Sequence, residues 1–342
     1  MSDFFQLEAD EQSARLTGLA VNALSAWGVT DCAPRLLKFR ENAVFEVQTQ
    51  TGARAALRVH RQGYHDDASL EAELTWMAML AKDGMCVPTP VAAQDGRIAV
   101  DATAAGVPGI WKVDMLAWVE GKQLGDVGEP LEFEGRDPAT LFHDIGKTMG
   151  TLHNLTTAWP QQNQLSRQAW DRDGFVGDQP LWGQFWELAG LTPDQKALLL
   201  QAKDAIAQDL DAYGQTPENY GLIHADLVPE NVMLDQDQIV LIDFDDAGYG
   251  WHMFEIVTAI YWLSEEPAAD TIAAAVLEGY QSVRILAARD LATLDLFTAA
   301  RALTYVGWVH TRSDTETAIE MTPFMIERAV EICGAYLRKR GA

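Results

Sequence analysis

The sequence predicts an α+β fold in two lobes, a small antiparallel sheet carrying one main helix followed by a larger, mostly helical lobe. Three observations carry this reading. Between Arg35 and Val100, short alternating runs flank one amphipathic helix; from Ala139 onward helical periodicity dominates; and near Val232 to Ile242 a short two-stranded stretch interrupts it.

In chain order, Leu16, Ala20, Ala23, Leu24 and Trp27 line one face of a helix over Asp10 to Trp27, with Gly28 placed to end it. AVFEV and AALRV alternate as strands about the turn QTQTG, and ASLEAELTWMAMLA follows as the amphipathic helix. KVDMLAWV is the next strand and EGKQLGD the turn after it. The boundaries expected are residues 1–115 for the first lobe, 116–121 for a hinge and 122–342 for the second. The stretch from Trp159 to Asp194, rich in Trp, Gly, Pro and Asp, reads as an insertion packed by its aromatics.

Composition narrows the function classes. A chain of 342 residues, 48% hydrophobic and 9% aromatic, is globular and long enough for two domains with a cleft between them. The acidic start MSDFFQLEADEQ is unlike a secretory signal, and no apolar run approaches the roughly 20 residues that span a bilayer. A cytoplasmic protein without a membrane partner is the expectation. Cys32, Cys86 and Cys333 lack metal-site or disulfide spacing and read as reduced thiols. A formal net charge of -25 repels nucleic acid, so any triphosphate site needs a divalent ion and a few placed cations.

The chemistry concentrates in GLIHADLVPENVMLDQDQIVLIDFDDAGYG, where His224, Asp226 and Asn231 fit H-x-D-x-x-x-x-N and Asp243 follows in the IDFD run. Val232 to Leu234 and Ile239 to Ile242 read as strands joined by the polar turn Asp235 to Gln238, a hairpin expected to draw Asn231 and Asp243 together. Phosphoryl transfer to a hydroxyl needs a carboxylate to take its proton and oxygen ligands for Mg²⁺ at the β- and γ-phosphates.

HADLVPEN followed by IDFDDAG resembles the aminoglycoside phosphotransferase and homoserine kinase group, which shares the protein-kinase-like fold, and the likeness runs along most of the chain. The resemblance implies Asp226 as the base, Asn231 and Asp243 as Mg²⁺ ligands, and His224 as a brace for the loop. Where the family carries an Asp that hydrogen-bonds this loop, the chain offers Glu255 in GYGWHMFEIV. Asp245 and Asp246 add charge beside the metal ligands, Asp246 reading as a solvated acid.

On the nucleotide side, strand alternation sends Arg58 to the face opposite Leu57 and Val59, while Glu73 lies beside the buried stripe Leu70, Leu74 and Met77 of the following helix. An Arg58–Glu73 pair would reproduce the strand-to-helix ion pair of kinases, with Arg58 on the α- and β-phosphates of ATP or GTP. RENAVFEV stands where a glycine-rich loop would be but has no glycine; it reads either as backbone N–H groups of Asn42 and Ala43 facing phosphate or as an ordinary hairpin. MLAWVEG either resembles the family hinge, with backbone near Leu116 and Trp118 at the purine edge, or is simply an edge strand and turn.

On the acceptor side, RQAWDRDGFVGDQPLWGQFWE either covers the pocket or packs, and Arg301, His310 and Arg312 either bind an acceptor carboxylate or decorate a surface. An acidic protein favours a cationic acceptor, and a homoserine-like compound or an amino alcohol leads by resemblance. A protein Ser/Thr acceptor and a nucleotide-binding pseudokinase are the alternatives.

Overall fold

The computed structural model describes residues 4–39, 42–126, 131, 133, 135–263, 266 and 268–341, and Arg40 and Glu41 of the predicted loop lie outside them. The chain divides into two compact units, residues 1–122 with 235–242, and residues 123–234 with 243–342. Among the described residues no helix is long and apolar enough to cross a membrane.

In the first unit, helix α1 (Ala9–Leu24) buries Leu16, Leu19, Ala20, Ala23 and Leu24, and a 3-10 turn at Ser25–Trp27 carries Trp27 inward before Gly28 stops it at φ 72°. Full burial of each leucine contributes about 1.5–3 kcal/mol. Five antiparallel strands, β1 (Arg35–Phe39), β2 (Ala43–Gln48), β3 (Arg54–Val59), β4 (Ala99–Ala104) and β5 (Val107–Ala117), form one sheet in the order β1-β2-β3-β5-β4. Phe45, Val47, Ala55, Leu57, Val59, Val113 and Met115 share a core with α1. Strand alternation turns Arg58 and Asp114 to the other face, in register opposite each other. Helix α2 (Asp67–Lys82) starts at Asp66, whose carboxylate accepts from Ser69 N at 2.7 Å, and sends Glu73 inward to meet them. The β4–β5 hairpin extends beyond the strand read from KVDMLAWV, because VPGI contains Pro and Gly, which mark turns in sequence but are accommodated in β5.

The two-residue strand β6 (Lys122–Gln123) leads out of the first unit. The second unit is built mainly of helices. Helix α3 (Pro138–Ala158) begins at Asp137, which accepts from Thr140 N, with Pro138 in the first turn where its missing N–H costs nothing. The aromatic stretch follows as strand β7 (Ala169–Trp170) and helix α4 (Arg172–Val176), with Trp170, Phe175, Trp182 and Phe185 buried. Helix α5 (Pro193–Tyr213) opens with a capping box between Thr192 and Gln195.

Strand β8 (Tyr220–Ile223) runs into the HADLVPEN loop, followed by β9 (Val232–Asp235) and β10 (Gln238–Leu241). The segment 235–242 belongs to the first unit, where Leu241 N donates to Cys86 O at 3.1 Å. Strand β11 (Gly248–Trp251) lies between β7 and β8, antiparallel to β8, and passes directly into helix α6 (His252–Tyr261). Helices α7 (Ala269–Gln281), α8 (Ala288–Leu291), α9 (Leu294–Thr311) and α10 (Glu316–Arg340) complete the unit. Helices α3 and α7 touch at glycines: a Cβ on Gly279 would fall 1.8 Å from His143 O, and one on Gly146 2.0 Å from Val276 O.

Candidate active site

The strand arrangement places the loop. Ile223, the last residue of β8, pairs with Gly248 at the start of β11, so the IDFDDAG run arrives beside the start of HADLVPEN. Beyond β11, α6 runs back toward that loop, and one turn in, Glu255 reaches it. Glu255 Oε2 accepts from Ala225 N at 2.6 Å.

Asp226 follows Ala225, whose backbone is held at φ 67°, a left-handed conformation rare outside glycine. Asn231 folds back over the loop, its Nδ2 donating to Asp226 O at 2.8 Å and to Asp226 Oδ2 at 3.0 Å. Asp226 N donates to His224 Nδ1 at 3.4 Å, and the His224 ring packs on Phe244 with centroids 4.5 Å apart. His224 and Asn231 are buried, while the Asp226 side chain is 23% exposed. Asp243 is exposed and also left-handed, at φ 64°.

Behind the loop lies a buried polar chain. Glu255 Oε1 is 3.1 Å from His153 Nε2, and His153 Nδ1 is 2.7 Å from the Tyr280 hydroxyl. Burial pushes the Glu255 carboxyl up to about 7, with His224 and the loop N–H groups pulling the other way. Burial holds His153 well below the usual histidine range, helped by Arg284.

In the first unit Arg58 and Glu73 meet as expected, Nη1 to Oε1 at 2.9 Å. Asp114 joins them: Arg58 Nε and Nη2 grip its two oxygens at 3.0 and 2.7 Å, and His60 Nε2 lies 2.6 Å from Oδ2. All four side chains are buried. Asn42 Oδ1 accepts from Arg61 N at 3.0 Å, and Ala43 pairs with both Phe39 and Val59. Leu116 pairs with Ala56 in β5, and the ring of Trp118, just beyond it, lies under the Arg54 guanidinium at 4.7 Å.

Two expectations are corrected. Arg301 neither decorates the surface nor waits for an acceptor: it is fully buried, and its Nη2 donates to Asp226 Oδ1 at 2.8 Å. Asp246 is half-buried rather than fully solvated: its Oδ1 accepts from Trp182 Nε1 at 3.2 Å, and its backbone O accepts from Trp170 Nε1 at 2.8 Å. The aromatic insertion therefore serves packing there, Trp182 also stacking on Arg301 at 4.7 Å.

Asp114, His60, His153 and Tyr280 escaped sequence reasoning. Asp114 carried a signal, an acid within an otherwise apolar strand, which needs a buried partner. The others join residues about 50 to 130 positions apart, which local pattern does not reach.

A family model described as "Phosphotransferase enzyme family" matches residues 35–297. Amicoumacin kinase of Bacillus subtilis (strain 168) is 25% identical over 305 residues, 86% of this chain and 85% of its own. A homoserine kinase of Mesorhizobium japonicum is 28% identical over 271 residues, 78% and 76% of the two chains. Among solved structures, a microcompartment-associated aminopropanol kinase superposes with a TM-score of 0.77 at 30% identity, covering 98% of both chains.

Proposed function

This chain belongs to the phosphotransferase enzyme family and is a small-molecule kinase with an alcohol group as acceptor; we propose that it moves the γ-phosphoryl group of ATP or GTP to a hydroxyl of a small, amino-bearing compound, an amino alcohol or a homoserine-like amino acid. The observation that carries this is the HADLVPEN loop itself, in which a partly exposed carboxylate, Asp226, is gripped by Asn231.

Asp226 would take the acceptor's hydroxyl proton as that oxygen bonds to the γ-phosphorus; the bond to the β,γ-bridging oxygen breaks, and its electrons leave with the nucleoside diphosphate. Asn231 and Asp243 fit a hard cation: they offer amide and carboxylate oxygens, and Asn231 commits its NH₂ to Asp226, which directs its Oδ1 away from that carboxylate. Mg²⁺ held there would neutralise charge on the β- and γ-phosphates. Arg58, braced by Glu73 and Asp114, would hold the α- and β-phosphates. Backbone at Asn42 and Ala43 would face phosphate. Residues 116–121 would form the hinge between lobes 1–115 and 122–342, with backbone at Leu116 and Trp118 meeting the purine.

The acceptor class rests on the relatives' named substrates and on the net charge of -25, which attracts ammonium groups and repels anions. Nucleotide consumption measured against amino alcohols, hydroxy amino acids, aminoglycosides and protein substrates tests it. Turnover on the first two classes is expected; a response confined to protein substrates would sink it.

A further inference from the structure

Resting on Asp226 as the base, we infer that Arg301 is a positioning residue for phosphoryl transfer: a buried guanidinium on α9 that fixes the plane of the Asp226 carboxylate so that only its exposed edge meets the acceptor hydroxyl. The two carboxylate oxygens are held from separate elements. Arg301 Nη2 donates to Oδ1 at 2.8 Å, and Asn231 Nδ2 donates to Oδ2 at 3.0 Å. With one donor on each oxygen, rotation of the carboxylate breaks at least one charge-assisted or amide hydrogen bond.

Arg301 is itself immobilised. Nη1 donates to Ala225 O at 3.3 Å and Nη2 also to the Tyr305 hydroxyl at 2.8 Å, and Trp262 Nε1 donates to that same hydroxyl at 2.6 Å. The rings of Tyr305, Trp182 and Phe254 lie 4.3, 4.7 and 5.3 Å from its central carbon. Its exposure is zero, against 23% for the Asp226 side chain, so the cation backs the carboxylate from the protein side and leaves the open side to substrate. Among the described residues its Nε has no hydrogen-bond partner. A buried cation with an unmade bond is a poor way to gain stability, and apart from the bond to Tyr305 its hydrogen bonds go to Asp226 and the residue before it.

The test is steady-state kinetics with Mg²⁺-ATP and the acceptor giving the highest turnover in the screen above, on Arg301→Met, Arg301→Lys, Asp226→Asn and the double variant Asp226→Asn with Arg301→Met. Arg301→Met keeps an unbranched apolar stem against the surrounding rings but loses the fork, and kcat should fall about a hundredfold with both KM values within about twofold, since displacement of a reacting group by about 1 Å costs that much. Arg301→Lys keeps the charge but cannot hold three oxygens in one plane, so kcat should recover to about a tenth of the wild-type value. In the double variant, removing Arg301 should cost nothing beyond Asp226→Asn, because it acts through that carboxylate. Wild-type kcat in either single Arg301 variant, raised KM in place of lowered kcat, or multiplied losses in the double variant overturns the inference. Should Arg301→Met fail to fold, Arg301→Lys decides alone by the same split. Full turnover by Asp226→Asn overturns the base reading beneath, and is distinguishable because it does not involve Arg301.

Discussion

Glu255 Oε2 holds the backbone N–H of Ala225 at 2.6 Å, one residue before the proposed base. Its second oxygen reaches His153 at 3.1 Å. Burial raises its carboxyl from 4.5 to about 7, so the folded protein keeps a proton that the unfolded chain has released. The stability this group contributes is therefore present below pH 4.5 and lost as pH rises to about 7, by about 3 kcal/mol. Glu255→Gln does not titrate. The stability difference between wild type and Glu255→Gln, from urea midpoints, should swing against wild type by about that amount between pH 4.5 and 7.

Asp114 should show the opposite sign. Burial pushes its carboxyl up, but Arg58 and His60 outweigh that and hold it below the usual range. Its contribution is thus present at neutral pH and lost as pH falls through its folded value. Asp114→Asn removes one buried partner of Arg58 and should cost about 3 kcal/mol at pH 7, read by chemical unfolding. A loss below about 0.5 kcal/mol, the size of an exposed pair, would mean Arg58 is held by Glu73 alone.

Ala225 is buried at φ 67°, where a β-branched side chain is strained more than alanine. Ala225→Val should destabilise the protein by about 2 kcal/mol or more and lower kcat, while Ala225→Gly should keep both near wild type. Thermal unfolding with parallel turnover assays checks this. Equal stability of the two variants would show that the loop adopts another backbone conformation.

How much of this could be read in advance follows from how far apart the interacting residues are. Asp226, Asn231 and His224 lie within eight residues, so their spacing alone announces the loop. Arg58 and Glu73 are 15 apart, and strand and helix periodicity sufficed to aim them at each other. Arg301 is 75 residues from Asp226, and its helix is buried on nearly every side, so the sequence offers Arg301 as a candidate without aiming it at the loop. Asp246 looked solvated because acids usually are, and only tertiary packing brings Trp182 to it. The β4–β5 hairpin was hidden by Pro108 and Gly109, which lie inside the strand.

The most direct test of the proposed chemistry compares Asp226→Ala and Asp243→Ala for turnover and for Mg²⁺-ATP binding. The account predicts that Asp226→Ala loses nearly all turnover, about a thousandfold or more, while still binding Mg²⁺-ATP near the wild-type Kd, whereas Asp243→Ala weakens that binding itself. Wild-type turnover by Asp226→Ala would contradict it.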